Sequence, residues 1–166
     1  NSGHAGAVGY HALKAAKAGM IGMAMTAGGN AMIPTFGAEP KLGTNPIAFS
    51  WPRPGKHPYT FDFATSVAAR GEIELHRRAG TPLPEGWAVA PDGAPTTDPE
   101  AALAGAMLPF GGHKGSAIST MIELLAGVMI GDLTSPEARD ALGSLTLAPA
   151  HGELIIAFDP AKFAAG

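Results

Sequence analysis

The chain has 166 residues, of which 46% are hydrophobic and 15% are charged, a balance that argues against disorder and predicts a single globular domain over 1–166. Its net charge is −3 and no run of Lys and Arg exceeds two residues, which argues against nucleic acid or a membrane surface as a main partner. The lack of cysteine excludes disulfides, thiolate catalysis and Cys-based zinc sites, and it fits a reducing, cytoplasmic compartment.

The first part of the chain predicts one helix followed by three strands. Residues 4–18 are rich in Ala, Lys and Leu and are followed by Gly19, a pattern typical of a helix with a glycine stop. Short apolar runs bounded by Gly, Pro and Asn come next. They indicate strands over 20–26, 47–51 and 59–65.

The middle of the chain predicts a second helix over 66–79. Its expected core positions are Val67, Ile73 and Leu75. Residues 80–102 then form a long polar excursion that is rich in proline. Within it, Asp98 is predicted to cap a helix that starts at Pro99, because Asp favours the N-cap and Pro the first helical position.

The clearest helical pattern covers 116–130, where apolar residues recur on one face. These residues are Ile118, Met121, Ile122, Leu125 and Met129. The apolar stretch is too short to span a bilayer and contains Glu123. A short helix over 136–143 and a strand over 152–160 follow. Because helices and strands alternate throughout, the predicted fold class is α/β.

The segment GGHKGS, residues 111–116, places glycines, a histidine and a lysine in front of this helix. A helix N-terminus offers free N–H groups, and Lys114 adds a charge suited to phosphate or carboxylate, so the segment predicts an anion site. It is not a phosphate-binding P-loop, because His113 precedes the lysine and a glycine follows it. The alternative is a glycine-rich helix entry with a solvated lysine.

Three further positions are candidates for chemistry. His4 lies between a glycine and an alanine at the entry to the first helix, where it could act as a general acid or have a structural role, with Ser2 as the cap of that helix. Asp62 alternates with two phenylalanines, and it could hold a ribose hydroxyl. Equally, Asp62 or Thr65 could cap the helix that follows.

Arg70 and Glu72 could form an orienting pair or belong to a solvated helix face. None of the six histidines has metal-ligand spacing to another histidine or an acid, so a metal site is not predicted. The sequence also lacks the G-x-S-x-G elbow of serine hydrolases and a G-x-G-x-x-G segment after a strand.

Four segments, taken together and in this order, resemble the type 2 malate/L-lactate dehydrogenase family. They are GHAGAVGYHALKAAKAGMIGMAMT, LGTNPIAF, FDFATSVAARGEI and LPFGGHKGSAISTMIELLAGVMIGDL. The resemblance implies an NAD(P)-dependent oxidoreductase without a Rossmann fold, built on a mixed sheet flanked by helices, and a homodimer. Family members are about twice as long, so the chain resembles the central, cofactor-binding part of a longer enzyme.

The resemblance also implies roles for individual residues. The implied cofactor contacts are His4, Ala5, Gly6, Ala7, Val8, Asp62, Phe63, Ala64, Arg70, Gly71, His113 and Lys114. His4 also occupies a catalytic or proton-transfer position, and Glu72 matches an acid that orients a catalytic histidine. Thr44 matches a substrate contact. The family's serine–histidine pair and its carboxylate-binding arginine would lie in an N-terminal segment outside this chain.

The branch of the family decides the expected reaction. GGHKGSA is similar to the reductases of Δ1-piperideine-2-carboxylate and Δ1-pyrroline-2-carboxylate, whereas HAGAVGYHALKAAKAG is similar to the general dehydrogenase pattern. The first expectation is reduction of a cyclic imino acid to L-pipecolate or L-proline, with NADPH favoured over NADH. The alternatives are a malate/L-lactate-type 2-hydroxyacid dehydrogenase and a cofactor-binding or oligomerisation remnant without activity.

Overall fold

A computed structural model describes residues 5–142 and 152–163. The helices are α1 (Val8–Lys17), α2 (Arg70–Ala79), α3 (Pro99–Ala104), α4 (His113–Ala126) and α5 (Ser135–Leu142). The strands are β1 (Ile21–Thr26), β2 (Ile47–Trp51), β3 (Tyr59–Phe63), β4 (Ala88–Val89), β5 (Pro95–Thr96), β6 (Ala106–Met107) and β7 (Glu153–Phe158). Short 3-10 turns lie at Val128–Ile130 and Pro160–Lys162.

The larger sheet has four strands in the order β3-β2-β1-β7. Met25 of β1 lies between Ile47 of β2 and Leu154 of β7. The α/β class is confirmed. A mixed sheet was expected, and in the described part of the chain the named strands all pair antiparallel, while the parallel pairing is the isolated bridge Met32–Met107. The short connection over 52–58 permits nothing else for β2 and β3, since parallel neighbours need a long crossover.

Strand β1 is covered on both faces, because alternate side chains of a strand point to opposite sides. On one face Ala24 packs with Val8 and Ala12 of α1. On the other face Met25 packs with Ile122 and Ala126 of α4. The two helices that carry predicted site motifs at their N-termini therefore lie on opposite faces of one sheet.

A second sheet, in the order β5-β4-β6, lies within and just after the stretch 80–102 that was expected to be an irregular excursion. Its strands have two residues each, too few to produce a recognisable alternation in the sequence. Ile73 of α2 and Met107 of β6 belong to the hydrophobic cluster beneath it. The predicted cap of α3 is confirmed, since Asp98 Oδ1 accepts a hydrogen bond from Glu100 N at 3.1 Å.

Helix α2 begins at Arg70, later than the predicted start at residue 66. Residues 66–67 are not helical because they pair with another segment: Ser66 forms a bridge with Pro109, and Val67 N donates to Leu108 O at 2.9 Å. Of the three expected core positions, Ile73 is buried, whereas Val67 and Leu75 are 40% and 59% exposed. The prediction for those two residues was wrong, because Val67 lies outside the helix and Leu75 lies on its solvent face.

Helix α4 begins at His113, three residues before the predicted start at 116, and ends at Ala126. Its buried face differs from the predicted apolar stripe. The buried residues are Gly115, Ser116, Ser119, Ile122, Glu123 and Ala126, while Met121 and Met129 are exposed. The prediction assumed that the apolar residues of this helix are its buried ones. It was wrong because part of the helix packs on a polar loop, which buries polar residues instead.

The remaining helix and strand predictions agree with the structure where it describes them. Helix α1 begins at Val8, four residues after the predicted start at residue 4. Gly19 follows it with a φ of +83°, which is the predicted glycine stop. The predicted cap Ser2 and residues 143–151 lie outside the described residues. Among the described helices, none alone is long and apolar enough to cross a membrane, and 113–130 with 135–141 reach that length only as a pair bent by 63°.

Candidate functional site

Three of the predicted site motifs meet at the end of β3. Asp62 points toward α1, and its Oδ2 accepts a hydrogen bond from Gly9 N at 2.7 Å. A Cβ at position 9 would lie 3.0 Å from Asp62 Oδ2, so the glycine permits the close approach. Asp62 therefore holds the start of α1. The alternative in which Asp62 caps the helix that follows was wrong, since α2 has Ala69 at its N-cap and no side-chain cap.

Capping leaves part of the Asp62 carboxylate available. The side chain is exposed, and within the described residues its second oxygen, Oδ1, accepts no hydrogen bond. A carboxylate oxygen in this state can accept a hydrogen bond from a ligand hydroxyl. The cap and the predicted ribose contact are thus compatible in one side chain.

Thr65 connects the end of β3 with two further motifs. Its N and Oγ1 both donate to Thr44 O, at 2.8 Å and 2.9 Å. Its own carbonyl oxygen accepts from Phe110 N at 3.0 Å. The predicted substrate residue Thr44 and the turn before His113 are therefore both fixed to the segment that follows Ala64, and Thr65 is not the cap of α2.

The turn at 109–115 has a different hydrogen-bonding pattern from the one expected of an open anion cradle. Gly111 and Gly112 have φ values of +55° and +60°, which glycine adopts without strain. The N–H groups of Gly112, Lys114 and Gly115 donate to the carbonyl oxygens of residues 109–111 within the same turn. Most of the backbone donors are already used, so an anion would be held by side chains here.

The two side chains that could do this are exposed. His113 and Lys114 occupy the first turn of α4, and both are open to solvent. The aliphatic part of Lys114 lies over Gly111, where a Cβ would be 3.7 Å from Lys114 Cδ. The arrangement leaves the amine able to reach a phosphate or a carboxylate outside the turn.

Gly115 fixes the distance between α4 and the end of β3. A Cβ at this position would lie 2.5 Å from Phe110 O and 2.7 Å from Thr65 O, and both contacts are with backbone atoms. Only a residue without a side chain fits at this approach. The glycine that makes the segment differ from a P-loop is therefore required by packing.

The start of α2 brings no partner to its charged residues. Arg70 is half-buried and Glu72 is exposed, and in the described part of the chain neither side chain forms a hydrogen bond or an ion pair. They do not form the Arg70–Glu72 pair that the sequence allowed. His4 lies outside the described residues. The role implied for Glu72, the orientation of a catalytic histidine, stays a prediction.

Two features of this region were not found from the sequence. The first is a cavity of about 550 Å³ beside the turn that precedes His113, lined in part by residues 33–37, 108–109 and 111–112. It is large enough for a small ligand. Gly111 and Gly112 of the predicted anion segment line it, whereas the described residues predicted to contact the cofactor or the substrate do not. The second is a buried polar network around Glu123 and Asn45, for which the one sequence signal was an acid inside an apolar helical stretch.

Within 5–142 and 152–163, His, Asp and Glu side chains form no group of three or more that could hold a metal ion. The described site is therefore built from glycines, backbone hydrogen bonds and a few exposed polar side chains. This composition suits an organic ligand with anionic and hydroxyl groups.

Comparison with known proteins agrees with the motifs. The chain is 72% identical over 148 residues to the Δ(1)-pyrroline-2-carboxylate reductase of Agrobacterium fabrum, covering 89% of this chain and 43% of that protein. It is 42% identical over 165 residues to the (2R)-3-sulfolactate dehydrogenase (NADP(+)) of Chromohalobacter salexigens, covering 99% of this chain and 50% of the relative. It thus spans half or less of the length of these relatives.

The fold agrees as well. The crystal structure of Δ1-piperideine-2-carboxylate reductase from Pseudomonas syringae superposes with a TM-score of 0.89 at 41% identity, covering 96% of this chain and 48% of that one. The model of the malate/L-lactate dehydrogenase family matches residues 1–166, which confirms the resemblance seen in the four motifs. The chain belongs to the malate/L-lactate dehydrogenase family.

Proposed function

We propose that the full-length protein containing this chain reduces a cyclic imino acid, Δ1-pyrroline-2-carboxylate or Δ1-piperideine-2-carboxylate, with NAD(P)H. The observation that carries the proposal is the 72% identity to a Δ(1)-pyrroline-2-carboxylate reductase over 89% of the chain. The reaction adds a hydride to C2 of the C=N bond and a proton to the nitrogen, and it gives L-proline or L-pipecolate.

The residues at the end of β3 and around it fit a nicotinamide dinucleotide. Asp62 Oδ1 is open to accept from a ribose hydroxyl, and Lys114 and His113 offer cationic and polar groups to its phosphates. Gly6 has a φ of +68°, and among the described residues no atom beyond its chain neighbours lies within 4 Å of a Cβ position, which gives a ligand space beside the segment Ala5–Val8. When bound, the cofactor supplies the hydride.

The other proposed cofactor contacts follow from their positions in the chain. Phe63 and Ala64 follow Asp62 directly in the chain, and Arg70 and Gly71 are the first residues of α2.

NADPH is preferred over NADH in this proposal, with support from the relative whose name includes NADP(+). Comparing the KM values of the full-length protein for NADPH and NADH tests the preference.

The substrate side of the proposal assigns Thr44 to the imino acid, His4 to proton transfer and Glu72 to the orientation of a catalytic histidine. Thr44 is half-buried, and its carbonyl oxygen is fixed by two hydrogen bonds from Thr65. Such fixation suits a residue that must hold a small substrate in one orientation. The serine–histidine pair and the arginine expected from the family would come from outside this chain.

The test is oxidation of NADPH and NADH by the full-length protein, followed by the loss of nicotinamide absorbance. The two cyclic imino acids are compared with pyruvate and oxaloacetate at equal concentrations. A higher kcat/KM for the imino acids supports the proposal. A higher value for the keto acids would move the protein to the 2-hydroxyacid branch and leave the cofactor site unchanged.

That second function has its own support in the 42% identity to a sulfolactate dehydrogenase over nearly the whole chain. The third candidate, a remnant without activity, predicts NADPH binding without turnover. Fluorescence titration with NADPH distinguishes a remnant that binds the cofactor from a chain that does not bind it.

The single-domain organisation, the homodimer and the cytoplasmic location stay predictions, and size-exclusion chromatography of the full-length protein tests the dimer.

A further inference from the structure

A buried glutamate holds the segment that carries Thr44. Glu123 lies on α4 and is 6% exposed. Its Oε1 accepts hydrogen bonds from Asn45 Nδ2 at 2.8 Å and from Gly43 N at 3.4 Å. Both donors belong to the residues on either side of Thr44, so one carboxylate oxygen holds both flanks of that residue.

Asn45 is the second component of this network. It is fully buried, its Nδ2 also donates to Ser119 Oγ at 2.9 Å, and its Oδ1 accepts from Gly28 N at 2.6 Å. Its φ of +29° lies in the left-handed region, which Asn tolerates better than most residues. Neighbours from two other segments therefore keep the backbone beside Thr44 in an uncommon conformation.

The second oxygen of Glu123 binds the start of α5. Oε2 accepts from Ser135 N at 2.8 Å. Ser135 Oγ lies within hydrogen-bond distance of both Glu123 Oε1 and Gly28 O, and its single proton can be donated to either oxygen. No Lys, Arg or His side chain of the described ranges pairs with Glu123, so there the carboxylate is satisfied by neutral donors.

Helix α4 connects this network to the proposed cofactor turn. His113 and Glu123 are ten residues apart on it, which is about 15 Å along a straight helix. At the other side, Thr44 O is bonded to Thr65, and Thr65 O is bonded to Phe110 N. One helix thus carries the cofactor turn at its start and the residue that holds Thr44 in its third turn.

We propose that Glu123 is a positioning residue, which fixes Thr44 relative to the cofactor turn through Gly43 and Asn45. The proposal rests on the proposed function, because it takes Thr44 as a substrate contact. A buried polar network of this kind is seldom the most stable way to fill an interior. Its value lies in selecting one conformation, and here the selected segment is the one beside the substrate.

A double-mutant cycle in the full-length protein tests the proposal. Glu123→Ala and Glu123→Gln are each made alone and together with Thr44→Ala. Glu123→Ala is expected to raise the KM for the imino acid about 10-fold or more, because misplacement of a contact residue by an ångström is costly. The KM for NADPH is expected to change less than about 2-fold, and Gln, which keeps an acceptor at Oε1, recovers most of the loss.

The Thr44→Ala background provides the decisive readout. In this background the Thr44 hydroxyl that Glu123 is proposed to position is absent. The further loss of kcat/KM caused by Glu123→Ala is therefore expected to fall below about 3-fold. The same loss of kcat/KM in both backgrounds would overturn the proposal, because a merely structural role does not depend on Thr44. If the Ala variant does not fold, Glu123→Asp, whose shorter side chain withdraws the carboxylate from Gly43 N and Asn45 Nδ2, carries the same cycle.

Ser135→Ala is the matched control. It removes the hydroxyl contact on the α5 side of the carboxylate and leaves the donors from Gly43 and Asn45 in place. It is expected to lower the Tm without raising the KM for the substrate. An equal rise in KM for Ser135→Ala and Glu123→Ala would assign both effects to stability and contradict the positioning role.

Failure of the proposed function is distinguishable from failure of this inference. If the wild-type protein prefers a 2-keto acid, the imino acid assignment is wrong, and the cycle is run on that keto acid with the same expected pattern. If Thr44→Ala leaves the KM of the preferred substrate unchanged, Thr44 is not a contact and the positioning role is overturned.

Discussion

Two glutamates of this chain are each held by several hydrogen-bond donors, in opposite surroundings. Glu123 is buried, and its partners come from residues 43–45 and from the start of α5. Glu74 on α2 accepts from Arg77 and Arg78 of the same helix, at 2.7–2.8 Å, in a solvent-exposed cluster. The first joins distant parts of the chain through neutral donors, whereas the second joins neighbours through opposite charges.

The difference shows where hydrogen bonds contribute to the shape of a site. A buried acceptor that loses its donors has no water to replace them, so it costs the full desolvation of the group. An exposed ion pair can exchange its partner for water at little cost. The buried hydrogen bonds of Glu123 fix the segments around Thr44, whereas the exposed ion pairs of Glu74 lie on the surface of one helix.

The largest effect is expected from Asn45→Ala, which removes a donor to Glu123 and an acceptor for Gly28 N. It also leaves a residue with a Cβ but no local hydrogen bond at a positive φ. Together these changes are expected to lower the free energy of unfolding by about 3 kcal/mol. Urea denaturation measures it, with Glu74→Ala as the control variant on the exposed cluster. Similar losses in the two variants would remove the contrast between the regions.

Gly115→Ala is expected to have the next largest effect. Its Cβ would lie within 2.7 Å of two backbone oxygens, Phe110 O and Thr65 O, which cannot move without separating α4 from β3. A loss of about 2 kcal/mol in unfolding free energy is expected from this overpacking. The matched control is Gly71→Ala, where, among the described residues, no atom apart from its chain neighbours and its own helix backbone lies within 4 Å of the Cβ position. Unfolding of both variants at one protein concentration makes the comparison, and an unchanged Gly115→Ala would contradict the close approach.

Asp62→Ala removes the cap of α1 and is expected to cost about 1 kcal/mol of stability. Asp98→Ala, which removes the cap of α3, should cost a similar amount. The two variants differ in the second measurement, the Kd for NADPH by fluorescence titration. Asp62→Ala should weaken binding, whereas Asp98→Ala should not. Equal Kd values would limit Asp62 to its capping role.

The sequence was informative where local rules decide the structure. The strands over 47–51 and 152–160, the cap Asp98 and the glycine stop at Gly19 follow from alternation, capping chemistry and backbone freedom, and they recur in the structure. The family resemblance also rested on local motifs, and the family match confirms it.

Local sequence rules could not predict the contacts between segments that are distant in the chain. The pairing of Val67 with Leu108, the two-residue strands and the burial of Ser119 and Glu123 all depend on a partner far along the chain. Likewise, Asp62 caps a helix that precedes it by more than fifty residues, which no spacing within its own segment indicates. The site could therefore be predicted as a set of motifs, but its hydrogen bonds could not.

The smallest effect is expected from Glu74→Gln, and its pH dependence gives it a signature. Hydrogen bonds from Arg77 and then Arg78 lower the pKa of Glu74 from 4.5 to about 2. A carboxyl whose pKa is lowered by folding stabilises the native state above its unfolded pKa, and this contribution disappears as the pH falls through the folded pKa. The Tm difference between wild type and Glu74→Gln should therefore be constant above about pH 5 and shrink between 4.5 and about 2.

Salt provides the second axis of this measurement, because the cluster is exposed and its charges are screened by added ions. The Tm difference at neutral pH should fall as NaCl is raised, while the loss caused by Asn45→Ala should persist, since its buried hydrogen bonds are screened far less. Other carboxyl groups titrate in both members of the Glu74 pair and cancel in the difference. A Tm difference that stayed the same at every pH and salt concentration would mean that Glu74 acts through packing. The two glutamates would then differ in burial rather than in the role of charge.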